Sequence, residues 1–595
     1  MNRVSDYIIK FLEDRGIEDV FMISGGGAMF LNDAVALNDN VNALFCHHEQ
    51  ACAMAAVGSA KYLNDISAAV VTTGCGTTNA LTGLLDAWQD SVPCLFISGQ
   101  VKRLETTRNS GLALRQFGVQ ELDVIPIVES LTKYAVMVNE PSEIAYHMEK
   151  AYSIATDGRP GPVWIDVPMD VQSAIISEDE LVHYHVEKKM SSISKGDITF
   201  ISDLLEKAER PIVLAGNGVR LADSVEELRL FVKNVSIPCV VSYLGVDFFE
   251  QDNWNYIGRL GIKGDRAGNF AIQNSDLVIC IGCRLSVALT GFEYDKFARE
   301  AKLIVVDVDS EEHKKKTVKI DYLFESDAKL FLKNINSIKI KKNWNRWLEK
   351  CNEWKEKWLT IQPEYNEKEV NKYEFIEALS EQLPDDSVIV TDAGSSGYVT
   401  YQSLRIKSTK QRLITSGAQM DMGFTIPASI GVSVASNNKT VVGITGDGSF
   451  QLNIQELQTI VHNQIPVKIF VWNNNGYLSI RTTQHKFFNK RYYGTDSTCG
   501  VSFPSTEEIC KAYGLRFFRI ENRNQLKKTI EKTLSVKKPV ICEVICPTDQ
   551  EIIPNVSSVK RKDGTLMSKP LEDMYPFLDR NEFYNEMIIK PIEEK

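Results

Sequence analysis

Thr440-Val441-Val442-Gly443-Ile444-Thr445-Gly446-Asp447-Gly448-Ser449-Phe450 is the stretch on which the fold turns. A short, β-branched apolar run of this kind reads as a strand buried on both faces of a parallel sheet. It stops at Gly-Asp-Gly, a turn that offers backbone N–H groups to a phosphate as the next helix begins. Asn474 follows Asp447 by 27 positions, after one helix and the run 467–472, within Asn473-Asn474-Asn475-Gly476. Two adjacent strand ends would then present a carboxylate, an amide oxygen and a loop carbonyl, hard donors suited to octahedral magnesium. Alone, the Gly-Asp-Gly is a tight turn; the asparagine run at this spacing makes it a candidate cation site.

The same alternation of apolar runs and helical periods extends in both directions, which predicts an α/β fold of three doubly wound parallel-sheet domains plus a C-terminal tail. The first covers 1–175, with strands over 68–72, 94–98 and 163–167. A polar linker, containing Glu178-Asp179-Glu180 and Ser191-Ser192-Ile193-Ser194, leads to a central domain over 195–340, with strands at 212–215, 239–242, 277–282 and 303–308. Between 339 and 372 lie Trp344, Trp347, Trp354 and Trp358, spaced to share one helix face and dock that connection. The third domain covers 373–550, with strands at 388–391, 441–445, 469–472 and 541–545. In the tail, 551–595, Lys560-Arg561-Lys562-Asp563-Gly564 reads as a solvated turn and Met574-Tyr575-Pro576-Phe577-Leu578 as a segment packing back on the body.

Composition excludes several classes of function. Lysine plus arginine number 67 against 78 aspartate plus glutamate, a net charge of −11 that opposes nucleic acid and acidic membrane surfaces. Charged Glu13, Asp14 and Arg15 come before any long apolar run, and no later run is long enough to span a bilayer, so a cytoplasmic protein is expected. The 12 cysteines are scattered through apolar segments, and the single CxxC, Cys280 to Cys283, falls in a strand-like run without a partner pair, which predicts packing and not metal or redox chemistry.

A second chemical signal lies at Cys46-His47-His48-Glu49-Gln50-Ala51-Cys52-Ala53-Met54-Ala55-Ala56, where a glutamate opens a helix of small and apolar residues. Such a carboxyl is expected to be partly desolvated, and on its own it reads as an acidic residue that stabilises a helix N-terminus. Together with the Gly-Asp-Gly and asparagine pair, this segment resembles the thiamine-diphosphate-dependent acetolactate synthases (acetohydroxyacid synthase large subunit), of which the chain reads as a divergent member over residues of about 15 to 550. The resemblance implies that Asp447, Asn474 and the carbonyl of Gly476 hold Mg2+ against the diphosphate of thiamine diphosphate. It implies that Glu49 hydrogen-bonds the cofactor's aminopyrimidine ring. Met422 matches the apolar residue that wedges the cofactor into its bent shape, with Met420 beside it. Gly25 and Gly26, in Phe21-Met22-Ile23-Ser24-Gly25-Gly26-Gly27, match a loop facing the reacting carbon. Thr73 to Ala80, continuing through Asp86 and Asp90-Ser91-Val92-Pro93, resembles a family segment in which Cys75 stands where the family has proline, with Thr73 and Asn79 implied to contact the cofactor, and Gln120, in Val119-Gln120-Glu121, is implied to reach the active site. Gly394, Ser395, Ser396, Gly446, Gly448, Ser449 and Tyr477 complete the implied cofactor contacts. The family arrangement also implies a homodimer at least, often a tetramer, with each active site between the first domain of one subunit and the third of its partner.

In the central domain, Gly216-Asn217-Gly218, Arg259 to Gly264 and Gly282-Cys283-Arg284 resemble the places where such synthases hold FAD, which leaves FAD open. Two departures concern the substrate. Where the biosynthetic synthases end Gly-Ala-Arg-Phe-Asp-Asp-Arg in an arginine for the second keto acid, this chain has Ala288. The Met-Val-x-Gln-Trp run is replaced by Ser479-Ile480-Arg481-Thr482-Thr483. The implied activity is decarboxylation of a 2-keto acid, pyruvate or similar, with transfer of the acyl carbanion to a carbonyl acceptor. Arg481 and Gln484 point to a polar acceptor such as a keto or aldehyde sugar. A decarboxylase or cyclic-dione hydrolase without ligation, and a catalytically silent cofactor-binding relative, stay open as alternatives.

Overall fold

A computed structural model describes residues 2–185, 193–359, 368–437, 439–560 and 566–592. The Ser191-Ser192 part of the linker and the expected turn at 561–564 lie outside them. Three six-stranded sheets carry the fold. The first comprises β1 (Asp19–Met22), β2 (Asn42–Phe45), β3 (Ser67–Val71), β4 (Cys94–Gln100), β5 (Tyr134–Met137) and β6 (Val163–Pro168), in the order 2-1-3-4-6-5. The second comprises β7 (Pro211–Ala215), β8 (Cys239–Val241), β9 (Tyr256–Arg259), β10 (Leu277–Ile281), β11 (Lys302–Asp307) and β12 (Tyr322–Glu325), in the order 9-8-7-10-11-12. The third comprises β13 (Val388–Thr391), β14 (Arg412–Thr415), β15 (Val441–Gly446), β16 (Lys468–Asn473), β17 (Arg516–Ile520) and β18 (Val540–Ile545), in the order 14-13-15-16-18-17. β15 lies parallel between β13 and β16, with Gly446 opposite Trp472. The first and third sheets share one strand order; the second has the order of a dinucleotide-binding sheet.

The chain divides into two compact units. One comprises Met1–Lys188, Asp386–Gly397 and Ile414–Thr548, and it holds every residue named above for thiamine diphosphate and Mg2+. Its main packing element is α1 (Glu49–Leu63), capped by the His48 ring, which accepts from the Gln50 N–H, and ended by left-handed Asn64. From Ala51 to Ala60 every residue of α1 is buried. The small side chains there let α1 press against α3 (Thr425–Ala435), while α2 (Leu81–Asp90) packs beside α1. A Cβ on Gly431 would lie 1.9 Å from the Ala55 carbonyl oxygen, and one on Gly58 would lie 2.8 Å from the Ala428 Cα. The two helices therefore meet backbone to backbone, and glycine is required on each.

The other unit comprises Lys189–Asp385, Tyr398–Leu413 and Asp549–Lys595. As the tryptophan spacing predicts, the helix Asn345–Lys357 lays its aromatic face on the central sheet, with Trp344 donating to the Ala208 carbonyl and Trp347 to the Pro211 carbonyl. The tail also packs back as expected: Met574 is fully buried, and Arg266 donates to the carbonyls of Met574 and Pro576. Cys280 and Cys283 are both buried and unpaired in disulfides, as packing residues would be. Among the described residues no helix is long and apolar enough to cross a membrane.

Candidate active site

The site residues stand at the carboxyl ends of strands, where open α/β sheets bind ligands. Asp447 follows β15 and Asn474 follows β16. The buried Asp447 carboxylate organises the turn: Oδ1 accepts from the Gly448 N–H (2.8 Å), and Oδ2 accepts from the N–H groups of Asn474 (3.1 Å) and Gly476 (3.0 Å). The Asn474 amide in turn reaches the Gly476 carbonyl at 2.5 Å. Gly476 has a φ of +141°, and a Cβ there would strike the Thr495 carbonyl, so only glycine turns this corner. The three donors read from the sequence thus converge through direct hydrogen bonds. Among the described residues no three His, Cys, Asp or Glu side chains could hold a metal. A cation here would draw on amide and carbonyl oxygens beside one carboxylate, a donor set that fits magnesium and a diphosphate.

Around this corner the remaining third-domain residues take defined parts. A Cβ on Gly448 would lie 2.2 Å from the Tyr477 ring, which packs edge-on against Phe503. A Cβ on Gly446 would meet nothing within 4 Å, so its face is open. The hydroxyls of Ser396 and Ser449 both donate to Asp392, at 2.9 and 2.6 Å, so toward a phosphate these serines have backbone N–H groups to offer. Gly394 is left-handed, with φ +70°, and Ser395 begins the helix Ser395–Ser403. Met420 holds a left-handed backbone, φ +54°, two residues before Met422.

The first sheet brings together a second group. Glu49 is the first residue of α1, buried, with Oε2 accepting from the Asn79 amide at 2.9 Å. A Cβ on Gly76 would lie 3.4 Å from Glu49 Oε1. Thr73 donates its hydroxyl to Gln100 at 2.7 Å, so it is occupied within the fold. Gln120 is exposed and left-handed, φ +61°, and its carbonyl oxygen would lie 2.2 Å from a Cβ on Gly74. A Cβ on Gly25 would collide with Thr72, whereas one on Gly26 would meet nothing, which leaves the Gly26 backbone facing open space.

Some readings change. Arg481 and Gln484, taken from the sequence as groups for a polar acceptor, lie in the helix Leu478–Phe487 and already have partners within the protein. The Arg481 guanidinium donates to the Thr548 and Asn475 carbonyls, and Gln484 bonds the Tyr493 backbone in both directions. The cations left exposed on this segment are Lys486, Lys490 and Arg491. Sequence reading missed Asp392 and Lys61, and it placed Asp86 and Asp90 in a family-like segment without assigning them a part. Asp392 follows β13, just before Gly394-Ser395-Ser396, a signal that was available; the pairing of Lys61 with Asp86 and Asp90 is assembled only by folding.

Comparison with known proteins identifies the three domains. Residues 2–127, 198–335 and 392–544 match, in turn, the N-terminal TPP binding domain, the central domain and the C-terminal TPP binding domain of thiamine pyrophosphate enzymes. The fold and the three matched domains are those of a thiamine-diphosphate enzyme. The chain is 31% identical to the acetolactate synthase large subunit of Lactococcus lactis subsp. lactis (strain IL1403) over 566 residues, 94% of this chain and 95% of the relative. It is 31% identical to the acetolactate synthase isozyme 2 large subunit of Escherichia coli (strain K12), covering 91% and 95%, and 31% identical to the chloroplastic acetolactate synthase 2 of Nicotiana tabacum, covering 93% and 83%. The chain belongs to the thiamine-diphosphate-dependent acetolactate synthase family, and it is a carboligase of that family.

Proposed function

We propose that the protein decarboxylates pyruvate or a similar 2-keto acid and joins the acyl unit to a carbonyl acceptor. The observation that carries this reading is the convergence of Asp447, Asn474 and Gly476 at two neighbouring strand ends. In it, Asp447, the Asn474 amide oxygen and the Gly476 carbonyl hold Mg2+, and the N–H groups around Gly394, Ser395, Ser396, Gly446, Gly448 and Ser449 receive the diphosphate, with Tyr477 walling the turn. Bound thiamine diphosphate supplies the electron sink that makes loss of carbon dioxide feasible. Glu49, fixed by Asn79, holds and returns a proton at its carboxyl, Met420 and Met422 shape the cofactor's seat with Gly25, Thr73 and Asn79 on its side, and Gly26 and Gln120 border the space for substrate. A homodimer, pairing Glu49 of one chain with Asp447 of the other, follows from the family arrangement.

For the acceptor we favour a polar carbonyl compound, a keto or aldehyde sugar. Ala288 replaces the arginine that would pair a second carboxylate, and an unpaired acceptor carboxylate would be costly to desolvate. The exposed Lys486, Lys490 and Arg491 beside Tyr492 and Tyr493 give the segment after the metal corner a basic, aromatic surface. FAD is carried as a proposal by the strand order of the central sheet alone. Its glycines are otherwise accounted for: a Cβ on Gly216 would lie 2.2 Å from the Gly282 carbonyl oxygen, and Gly218 donates to that same oxygen at 2.9 Å.

Purified protein with thiamine diphosphate and magnesium should release carbon dioxide from pyruvate, and mass spectrometry of products formed with and without candidate sugars identifies the acceptor. No release from any simple 2-keto acid would overturn the reading. Acetolactate as the sole product, whatever sugar is present, would overturn the sugar acceptor. Visible flavin absorbance in the purified protein checks the FAD proposal, and a colourless protein removes it.

A further inference from the structure

The segment 416–424, which carries Met420 and Met422, contains neither helix nor strand. Its shape is imposed by side chains from elsewhere in the same unit. The Asp90 carboxylate, at the end of α2, accepts from the Gly417 N–H (2.7 Å) and the Ala418 N–H (2.8 Å). The ammonium of Lys61, in the last turn of α1, lies between Asp86 (3.0 Å) and Asp90 (2.8 Å) and donates to the Thr415 carbonyl (2.8 Å). It also stands 5.1 Å from the centre of the Phe424 ring, at the far end of the segment. The loop closes through the Asp421 N–H on Ser416 Oγ (3.0 Å) and the Gly423 N–H on Ser449 Oγ (2.7 Å). The Lys61 side chain is 10% exposed, and those of Asp86 and Asp90 are 0% and 2% exposed. Three buried charges in one place are costly unless each is paired, and here the pairing is directed at a loop and not at the core.

We propose that Lys61, Asp86 and Asp90 form a positioning clamp that holds segment 416–424, and with it Met422, in the conformation that receives thiamine diphosphate. The clamp acts through the loop backbone and touches no reacting atom. Asp90 fixes two consecutive N–H groups ahead of the left-handed Met420, and Lys61 bridges the two carboxylates, offsetting part of their charge, while tying down the strand end at Thr415. This inference rests on the reading of Met420 and Met422 as the cofactor's seat.

The test measures binding of thiamine diphosphate, with magnesium present, to full-length Asp90→Asn, Lys61→Met, Lys61→Arg and Met422→Ala by titration calorimetry, alongside KM for pyruvate. Asp90→Asn and Lys61→Met should weaken cofactor binding by about ten-fold or more, the equivalent of one charge-assisted hydrogen bond, with KM for pyruvate little changed. Lys61→Arg should restore most of the affinity. Weakening by Met422→Ala together with unchanged affinity in Asp90→Asn and Lys61→Met would overturn the clamp. Unchanged affinity in Met422→Ala would instead remove the seat reading on which it rests. Should the clamp variants fail to fold, amide hydrogen exchange in the wild type decides the matter: the 417 and 418 amides should exchange slowly with and without cofactor. Fast exchange that slows only when cofactor is added would show that the ligand, and not the clamp, sets the loop.

Discussion

Asn79 donates to Glu49, so the proposed proton-handling carboxyl is held by an amide from the helix that follows Thr73 and Gly74. Exchange of Glu49 for Gln should abolish pyruvate decarboxylation while thiamine diphosphate still binds; full turnover in that variant would remove the mechanism. Asn79→Ala should lower kcat by roughly ten-fold, since losing one hydrogen bond to a charged group costs about 1.5–3 kcal/mol and frees the carboxyl to rotate. Asp421 makes a different prediction. Its Oδ2 is buried without a hydrogen-bond partner, and burial, with the nearby charges of Asp86 and Asp90, raises its pKa to about 8. The folded chain then keeps a proton that the unfolded chain loses near pH 4, so this group withdraws stability as pH rises from about 4 to 8 and nothing further above that. Calorimetric melting of Asp421→Asn should therefore gain on the wild type across that window, and parallel curves would contradict it. Glu49, Asp447 and Asn474 could be read before folding because each sits in a short local pattern. The part of Lys61 could not be read: the carbonyl it binds is 354 positions away, and the residue alone looks like an ordinary surface charge; Asp90 lay in a family-like segment, but its partners Gly417 and Ala418 did not show there.

At the scale of elements, interior strands were legible and edge strands were not. Every strand read from the sequence lies inside its sheet. All six edge strands, β2, β5, β9, β12, β14 and β17, escaped notice, and β1 was absorbed into the reading of a glycine loop. An interior strand is covered on both faces and shows as an unbroken apolar run. β12 alternates in exposure along Tyr322–Glu325, and β17 begins with an exposed arginine, so neither forms such a run. The crossing of α1 and α3 was equally hidden, because close approach follows from two glycines far apart in sequence. Gly431→Ala forces the two backbones apart. Overpacking of this kind costs about 1–3 kcal/mol, so the melting temperature should fall by several degrees, and an unchanged value would mean that the helices are not in backbone contact.

For the molecule as a whole, the repeated strand order of the first and third sheets places their glycine turns at equivalent strand ends, and the central sheet differs from both in strand order. The tail belongs to the unit of the central sheet and is fixed there by charge. In its last described helix, Arg580–Glu586, Glu586 accepts from Lys350, Lys357 and the Trp354 indole, while Glu582 accepts from the Trp358 indole. Burial pushes the Glu586 carboxyl up, but the hydrogen bonds from Lys350, Lys357 and Trp354 outweigh it and leave its pKa at about 2. A carboxylate depressed in the folded state contributes stability that is fully present above its ordinary pKa, near 4.5, and is lost as pH falls through about 2. The tail helix should therefore detach before the sheets unfold as the solution is acidified through that range. Because the group is partly solvated and screened, its contribution is on the order of 1–2 kcal/mol. Limited proteolysis at pH 7 should cleave Glu586→Gln within 579–592 faster than the wild type, and the wild type should gain the same sensitivity to an acid protease between pH 4 and 2. Equal cleavage rates for both proteins at both pH values would mean that the tail is held by its apolar contacts, Phe583 against Phe270, and not by this ion pair.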